Sequence, residues 1–354
     1  MENRTPMEEN PLVEALKKGL VEGRIPTATS QDQAGKWSRM FNPNYPEADW
    51  DVSGIFVYDS LLWRLFDAIK ELTGRSLFST VHGCPLSLWN GGRSTHWDRK
   101  SMAEYEKIIY EYVKRKVAVE LTFTNYNIDA KVLQDVMCNE MLDLVAHHNY
   151  NNSNGIIVSE ELLADYAKDK YPGLKLVASV VKVTKENGRG DLDYYLNLEK
   201  KYDKIMLHPD DNLNPELLQK IENKDKYTML VNEPCIRNCQ IRKQHYQLIS
   251  DGTFNILDSS FAKREEVLMK GNRCQNLDNL LFSGDKRTLT LSALEIKNLY
   301  DLGFRHFKIQ GRGMVNDAAM LMELHRIIFN HDPEYDNMVG RWLQKILTTG
   351  GKSE

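Results

Sequence analysis

The sequence predicts an α/β protein built as a (β/α)8 barrel. Short apolar runs alternate with amphipathic helical stretches over most of the 354 residues. Strands that are apolar throughout are typical of a parallel sheet covered on both faces. Seven such strands can be counted, most of them followed by a helix, and this number favours a closed barrel. A doubly wound open sheet is the alternative.

The predicted strands are short apolar runs that stop at polar or turn-forming residues. They span residues 77–82, 117–124, 155–158, 174–181, 204–207, 227–231 and 304–309. The eighth strand is less marked in the sequence. Residues 55–58 and a segment within 253–290 are the two candidates for it.

The predicted helices follow from apolar residues at helical spacing and from capping signals. A helix over 59–73 ends before Gly74, and Ser292 with Glu295 forms a capping-box pattern. A further helix begins after Ser159. The remaining predicted helices span residues 101–114, 129–148, 192–202, 214–221, 292–302 and 317–329.

These elements suggest one main domain with extensions. We expect an N-terminal helical and loop extension over residues 1–50 and the barrel over 51–335. An irregular, cysteine-bearing insertion covers 235–290, and residues 336–354 form a C-terminal tail.

Composition argues against several classes of protein. No run approaches the roughly 18 apolar residues that a membrane span needs, and the N-terminus has no apolar signal region. We therefore predict a cytoplasmic protein with no membrane role. The net charge of −4 gives no general attraction to nucleic acid, so an RNA substrate, which stays open, would need a local basic patch such as residues 113–116.

Polar residues follow several of the predicted strands. The carboxyl ends of barrel strands carry the catalytic residues in enzymes of this architecture, so these side chains are the candidates for an active site. Each competes with the plainer interpretation of a turn former or cap. They are His82, Cys84, Asn125, Ser159, His208, Asn232, Glu233, Cys235, Lys308, Gln310 and Arg312.

The cysteines suggest a metal or cluster site. Cys235 and Cys239 are four residues apart just past a predicted strand, Cys274 follows, and Cys84 is the candidate for a fourth ligand. Four thiolates suit a [4Fe–4S] cluster, whereas three cysteines with His245 suit a structural zinc. Reduced thiols that bind no metal are the third interpretation.

Two motifs occur in the second half of the chain. They are Asn232-x2-Cys235-x3-Cys239-x2-Arg242-x2-His245-Tyr246, with Cys274 downstream, and the segment from Phe307 through Gln310 to Arg312. Both resemble the collagenase-like peptidase family, the unknown-type peptidase family 32. In the second motif, Gln310 replaces the glutamate that the family usually has.

The resemblance implies a β/α barrel and a redox activity. Some members of the family are similar to oxygen-independent hydroxylases of RNA bases or of the ubiquinone ring, with a [4Fe–4S] cluster and prephenate as oxygen donor. Carried over, it implies Cys235, Cys239 and Cys274 as cluster ligands and Arg312 facing the pocket.

Three functions follow from these observations. The first is an iron–sulfur hydroxylase in which Lys308 and Arg312 bind the carboxylate of a small donor or substrate and His82 or His208 transfers protons. The second is a peptidase or other hydrolase in which a metal, or Glu233 with His208, activates water. The third is a non-catalytic barrel that serves as the subunit of a protein partner.

Overall fold

A computed structural model of the chain describes residues 43–91, 100–254, 260–271, 288–311 and 317–329. Contacts within the chain divide it into two compact units. One unit comprises Met1–Pro46, Ser60–Leu77 and Met314–Glu354, and the other comprises Glu47–Asp59 and Phe78–Gly313. The tail 336–354 and most of the extension 1–50 lie outside the described residues, so the domain boundaries stay predictions.

The second unit contains a closed barrel of eight parallel strands, which confirms the predicted fold class. The barrel strands are β1 (Asp49–Ser53), β2 (Phe78–Gly83), β3 (Ala118–Phe123), β4 (Gly155–Val158), β5 (Lys175–Ala178), β6 (Lys204–Met206), β7 (Tyr227–Leu230) and β10 (His306–Ile309). Neighbouring strands follow one another in chain order, and the barrel closes because β10 pairs with both β7 and β1.

Helices follow most of the strands along the chain. Capping boxes begin two of them, since the side chains of Ser101 and Ser292 accept the backbone N–H groups of Glu104 and Glu295. The helices are α1 (Asp59–Thr73), α2 (Met102–Lys114), α3 (Val136–His147), α4 (Glu161–Lys170), α5 (Val180–Lys185), α6 (Leu192–Glu199), α7 (Pro215–Lys220), α8 (Arg242–Thr253), α9 (Ser260–Gly271), α10 (Ala293–Asp301) and α11 (Asp317–Ile328).

The eighth strand differs from both sequence candidates. It is β1, whereas residues 55–57 form a turn after it. Trp50 and Val52 on β1 are fully buried, but they alternate with Asp51 and Ser53, which are also buried. The run is therefore not apolar throughout, because this strand places polar side chains inside the barrel.

The fifth strand is shorter than the sequence predicts. β5 ends at Ala178, and the hydroxyl of Ser179 accepts the backbone N–H of Lys182 at 3.0 Å to begin the short helix α5. Val180 and Val181 favour a strand by their branched side chains, but the serine cap begins a helix at this point.

The segment predicted as an irregular insertion contains regular structure. β8 (Asn232–Ile236) and β9 (Thr288–Thr290) form a small antiparallel sheet that is separate from the barrel sheet. The helices α8 and α9 lie between these two strands along the chain. Tyr246 on α8 is buried with Tyr126, whose ring is edge-on to it at a centroid distance of 6.4 Å.

In the first unit, the chain before β1 is bonded to the end of α11. The backbone N–H of Asn44 donates to Ile328 O at 2.9 Å, and its side chain donates to Phe329 O at 2.8 Å. Glu323 is fully buried and accepts two hydrogen bonds from Arg326. Across the parts of the chain that the structure describes, no helix has the length and apolar character to cross a membrane.

Candidate active site at the barrel mouth

A cavity of about 150 Å³ lies at the carboxyl ends of the barrel strands. Much of its wall is apolar, formed by side chains at strand ends and by the turn after β1. Phe56, Ile157, Val181, Met206 and Leu230 are among these lining residues. Such a wall favours the apolar part of a small ligand.

Polar groups converge on the same cavity. His82, Glu233, Lys308 and Gln310, all found at strand ends by sequence reasoning, line it. Ser53 also lines it, and Ser53 stands directly opposite His82 in the register of β1 with β2. A few placed polar groups in an apolar wall are typical of a ligand-binding site.

Asp51 contacts two of these residues, His82 and Lys308. Its Oδ1 atom is 2.6 Å from His82 Nδ1, and its Oδ2 atom accepts a hydrogen bond from Lys308 Nζ at 2.9 Å. All three side chains are more than nine-tenths buried. The carboxylate therefore holds both the ring and the ammonium group in fixed positions.

The charges of this trio follow from burial and mutual attraction. Burial alone would raise the pKa of Asp51, but His82 and Lys308 outweigh it, and the pKa lies well below its ordinary value. Burial lowers the pKa of His82, with Asp51 opposing. Burial also lowers the pKa of Lys308. At neutral pH Asp51 is thus ionised and the His82 ring is neutral, with Nδ1–H donating to Asp51.

This tautomer leaves His82 Nε2 as an acceptor. In the described ranges, no hydrogen bond to Nε2 is formed by a protein group, and the residue lines the cavity. A neutral imidazole held at Nδ1 by a carboxylate and open at Nε2 is the arrangement of a general base.

A second ion pair joins the buried Glu120 on β3 to the partly exposed Lys204 on β6. Lys204 Nζ donates to Glu120 Oε1 at 2.8 Å and lies 3.4 Å from Thr80 Oγ1. Glu120 is almost completely buried, and it attracts Lys204 strongly enough to raise the pKa of this lysine despite its burial. The interior of this barrel is therefore charged, whereas bulky branched apolar residues usually fill it.

Glu233 connects the cavity to the cysteine segment. It is buried, lines the cavity, and its Oε1 atom accepts the backbone N–H of Cys235 at 3.3 Å. The preceding residue, Asn232, fixes β8 to the end of β10 through three hydrogen bonds with Gln310 at 2.8–3.0 Å.

His208 is hydrogen-bonded to residues that do not line the cavity. Arg242 Nη1 lies 3.0 Å from His208 Nε2 and 3.1 Å from Asp210 Oδ2. Burial, then the nearby Arg242 and Arg189, lowers the pKa of His208 to about 3. Its ring nitrogens contact Asp210 N and Arg242 Nη1, and its backbone is hydrogen-bonded to Tyr195 Oη and Asp211 N. Glu233 is not among these described partners.

Of the described cysteines, Cys84 lines the cavity. Cys239 lies near enough to Cys235 to raise the pKa of the Cys235 thiol, and burial raises it further. Cys84 Sγ is 3.6 Å from Ser87 Oγ, and burial raises the pKa of the Cys84 thiol to about 12. Cys138 on α3 is fully buried. Cys274 and Arg312 lie outside the described residues.

Two of the three predicted cluster ligands, Cys235 and Cys239, lie within the described residues. Within the described segments, no three His, Cys, Asp or Glu side chains are arranged to hold a metal ion. Cys235 and Cys239 could supply two of the ligands of a cluster. Arg242 lies near Cys235, and its buried Nε–H has no acceptor among the described groups. The cluster, with Cys274 as third ligand, stays a prediction.

Sequence reasoning missed Asp51 and Ser53. The signal available was the alternation of polar and apolar residues over 49–53, which indicates a strand with a polar inner face. In a barrel, such a face points into the lumen, where a lone carboxylate needs cationic partners from other strands.

No protein-family model matches the chain, and no curated protein sequence matches it. Among solved structures, the chain is similar to the U32 peptidase Mk0906, with a TM-score of 0.43 and 12% sequence identity, over 74% of this chain and 92% of that one. The barrel architecture rests on this chain's own strand pairing, and the motif resemblance stays a prediction.

Proposed function

We propose that the chain is a barrel enzyme that performs general acid–base chemistry on a small molecule bound at the barrel mouth. The observation that carries this proposal is the His82 ring, held at Nδ1 by Asp51 at 2.6 Å while it lines the cavity. Positioned general bases of this kind accelerate reactions by roughly 10²–10⁴-fold.

The chain's own groups have separate roles in this proposal. His82 Nε2 accepts a proton from the substrate, and ionised Asp51 stabilises the imidazolium that forms. Lys308 keeps Asp51 ionised by its hydrogen bond at 2.9 Å. His82 then returns the proton to the product or leaving group, since the neutral ring is the resting state.

Cavity size and lining support an apolar substrate with one polar end. An engineered apolar cavity of similar size, about 150 Å³, binds benzene. The polar end would meet His82, Gln310 and Glu233, which line the cavity. A small aromatic compound with a hydroxyl, carbonyl or ester group fits this description.

Turnover of a panel of such compounds tests the proposal. For any compound that the protein converts, His82→Asn should lower kcat by roughly 10²–10⁴-fold with a small change in KM. The matched control is His147→Asn, because His147 is exposed at the end of α3 and should leave kcat unchanged. Equal turnover by wild type and His82→Asn would refute the proposal.

A second candidate is the iron–sulfur hydroxylase that the motifs suggest. The observation in its favour is that Cys235 lies near both Cys239 and Arg242, and the buried Nε–H of Arg242 lacks an acceptor within the described residues. With Cys274 these cysteines would hold the cluster, which would supply electron transfer to a substrate or to a small carboxylate donor. RNA is one possible substrate of this candidate, whereas a protein partner belongs to the alternative of a non-catalytic barrel subunit.

Iron and sulfide analysis after anaerobic purification tests the second candidate. About four irons per chain, the complement of a tetranuclear cluster, should be found and should be lost in Cys235→Ala. Protein that contains neither iron nor sulfide, even after reconstitution, would exclude it.

A further inference from the structure

Glu233 is a buried carboxylate that lines the cavity at the barrel mouth. Its Oε1 atom accepts the backbone N–H of Cys235 at 3.3 Å, and within the described residues its Oε2 atom accepts no hydrogen bond. No lysine or arginine of those residues forms an ion pair with it. A buried carboxylate is costly unless a cation and hydrogen-bond donors compensate it, so a ligand that supplies both would stabilise Glu233.

Two cationic side chains in this region are paired with other carboxylates. Lys308, which lines the same cavity, donates to Asp51 Oδ2 at 2.9 Å. Arg242, whose charge also interacts with that of Glu233, donates to Asp210 Oδ2 at 3.1 Å. Asp51 and Asp210 therefore offset these positive charges, and Glu233 has no contacting cation in the part of the chain that the structure describes.

Gln310 adds a second acceptor beside Glu233. Its Nε2 group donates to Asn232 O at 3.0 Å, and this bond fixes which way the amide is turned. Its Oε1 atom accepts no hydrogen bond from the described residues, and Gln310 lines the cavity. Asn232, which directly precedes Glu233, is also bonded to the backbone N–H and C=O of Gln310 at 2.8 Å. The two acceptors thus follow the neighbouring strands β7 and β10.

We propose that Glu233 and Gln310 bind a primary ammonium group of the substrate. An ammonium group carries a positive charge and three N–H donors, which match a carboxylate and an amide oxygen. Charge-assisted hydrogen bonds of this kind are roughly twice as strong as neutral ones. The inference rests on the proposed function, because it assigns a second group to the substrate on which His82 acts.

The arrangement of polar groups around the mouth defines the substrate class. Going around the barrel, the strands follow in the order β7, β10, β1 and β2. Glu233 and Gln310 follow the first two of these, whereas His82 is on β2. Apolar side chains such as Phe56 and Met206 line much of the remaining wall. The substrate is therefore a small, largely apolar amine whose reacting hydroxyl, carbonyl or ester group lies at its His82 end.

Calorimetric titration of the wild-type chain at pH 7 with three probes of similar size tests the proposal. Benzylamine is a cation at this pH, benzyl alcohol is uncharged and benzoate is an anion. Benzylamine should bind roughly tenfold more tightly than benzyl alcohol, since hydrogen bonds to charged groups contribute more than neutral ones. Benzoate should bind most weakly, because Lys308 is already paired with Asp51. Benzylamine that binds no more tightly than benzyl alcohol, or more weakly than benzoate, would overturn the proposal.

Glu233→Gln removes the charge and keeps the size of the side chain. Benzylamine should bind this variant about 10- to 100-fold more weakly than wild type, the range for one hydrogen bond to a charged group, whereas benzyl alcohol should bind equally well. Glu266→Gln is the matched control, because this side chain is exposed on α9 and should leave both affinities unchanged. Unchanged benzylamine affinity in Glu233→Gln would overturn the proposal. The wild-type titrations decide the matter if Glu233→Gln does not fold.

Binding requires no turnover, so this test is separate from the test of acid–base chemistry. His82→Asn should keep the wild-type affinity for benzylamine, because the ammonium group contacts Glu233 and Gln310. Tight benzylamine binding by a chain that converts no substrate would support the ammonium site and refute only the acid–base function. Turnover of uncharged compounds by a chain that does not bind benzylamine would refute only the ammonium site.

Discussion

Asp51 and His82 lie on neighbouring strands at the barrel mouth, with Asp51 Oδ1 2.6 Å from His82 Nδ1. Asp51 is followed two positions later by Ser53, and Ser53 is in register with His82, so three polar residues share one wall of the lumen. Lys308 reaches Asp51 from the other neighbouring strand, β10. The carboxylate is thus shared by both strands that flank β1.

Removal of the Asp51 charge should destabilise the barrel. Asp51→Asn leaves the Lys308 ammonium buried without its counter-charge, and breaking a buried pair in this way costs about 3–5 kcal/mol. Urea unfolding measures the change. The double variant Asp51→Asn/Lys308→Met should lose less than the sum of the two single variants, because neither charge is then left alone.

An exposed ion pair provides the control for this measurement. Lys297 and Asp301 form a pair on α10 in which both side chains are more than half exposed. Lys297→Met should change the free energy of unfolding by at most about 1 kcal/mol. Equal losses for Asp51→Asn and Lys297→Met would show that the buried trio is not formed in solution.

The free energy of unfolding should fall at acid pH, partly because His208 takes up a proton more readily in the unfolded chain. Its folded pKa is about 3, whereas the unfolded chain takes up a proton near the ordinary value of 6.5. Between these values the unfolded state binds one more proton, so stability is complete above pH 6.5 and is lost as pH falls toward 3. His208→Asn should flatten the slope of stability against pH by up to about 1.4 kcal/mol per pH unit.

Unfolding free energies of wild type and His208→Asn between pH 4 and 8 check this expectation. His147→Asn is the control and should keep the wild-type slope, because this side chain is exposed when the chain is folded. A His208→Asn slope that equals the wild-type slope would contradict the buried, neutral state of His208.

Gly91 should tolerate alanine less well than Gly190, although both have a φ of 74°. A Cβ at Gly91 would lie 2.9 Å from Asn125 Cα and 3.0 Å from Thr124 O, whereas nothing lies within 4 Å at Gly190. Gly190→Ala should cost about 1–2 kcal/mol of backbone strain. Gly91→Ala should cost a further 1–3 kcal/mol, roughly, since backbone atoms must move.

Thermal or urea unfolding of these two glycine variants compares the sites directly. The difference between them tests how closely the loop after β2 approaches the end of β3, which the hydrogen bond from Asn125 N to Trp89 O also indicates. Equal costs at Gly91 and Gly190 would mean that the two segments are farther apart.

The strands that the sequence predicted best are those whose residues are apolar on both faces. β4 agrees with its predicted bounds, and all four of its residues are buried. β1 was missed because its polar and apolar residues alternate, so it is not a continuous apolar run like the predicted strands. The partners of Asp51, His82 and Lys308, lie on strands distant in sequence, and the alternation does not reveal them.

The sequence predicted which residues lie near the site, but it did not predict which of them contact one another. Strand ends pointed to His82, Glu233 and Lys308, which line one cavity. The same reasoning pointed to His208, whose interaction with Arg242 depends on a helix that begins 34 residues later. Which polar residue contacts which is decided by barrel closure, and no spacing in the sequence encodes it.

The protonation state of the His82 ring decides whether this residue can act as a general base. Nitrogen-15 NMR of the imidazoles, with the His82 signals assigned from their loss in His82→Asn, measures it at pH 7. We expect a neutral ring with the proton on Nδ1 and an unprotonated Nε2, and Asp51→Asn should disturb this tautomer. A ring protonated on Nε2, alone or on both nitrogens, would refute the general-base role, because His82 could not then accept a proton from a bound substrate.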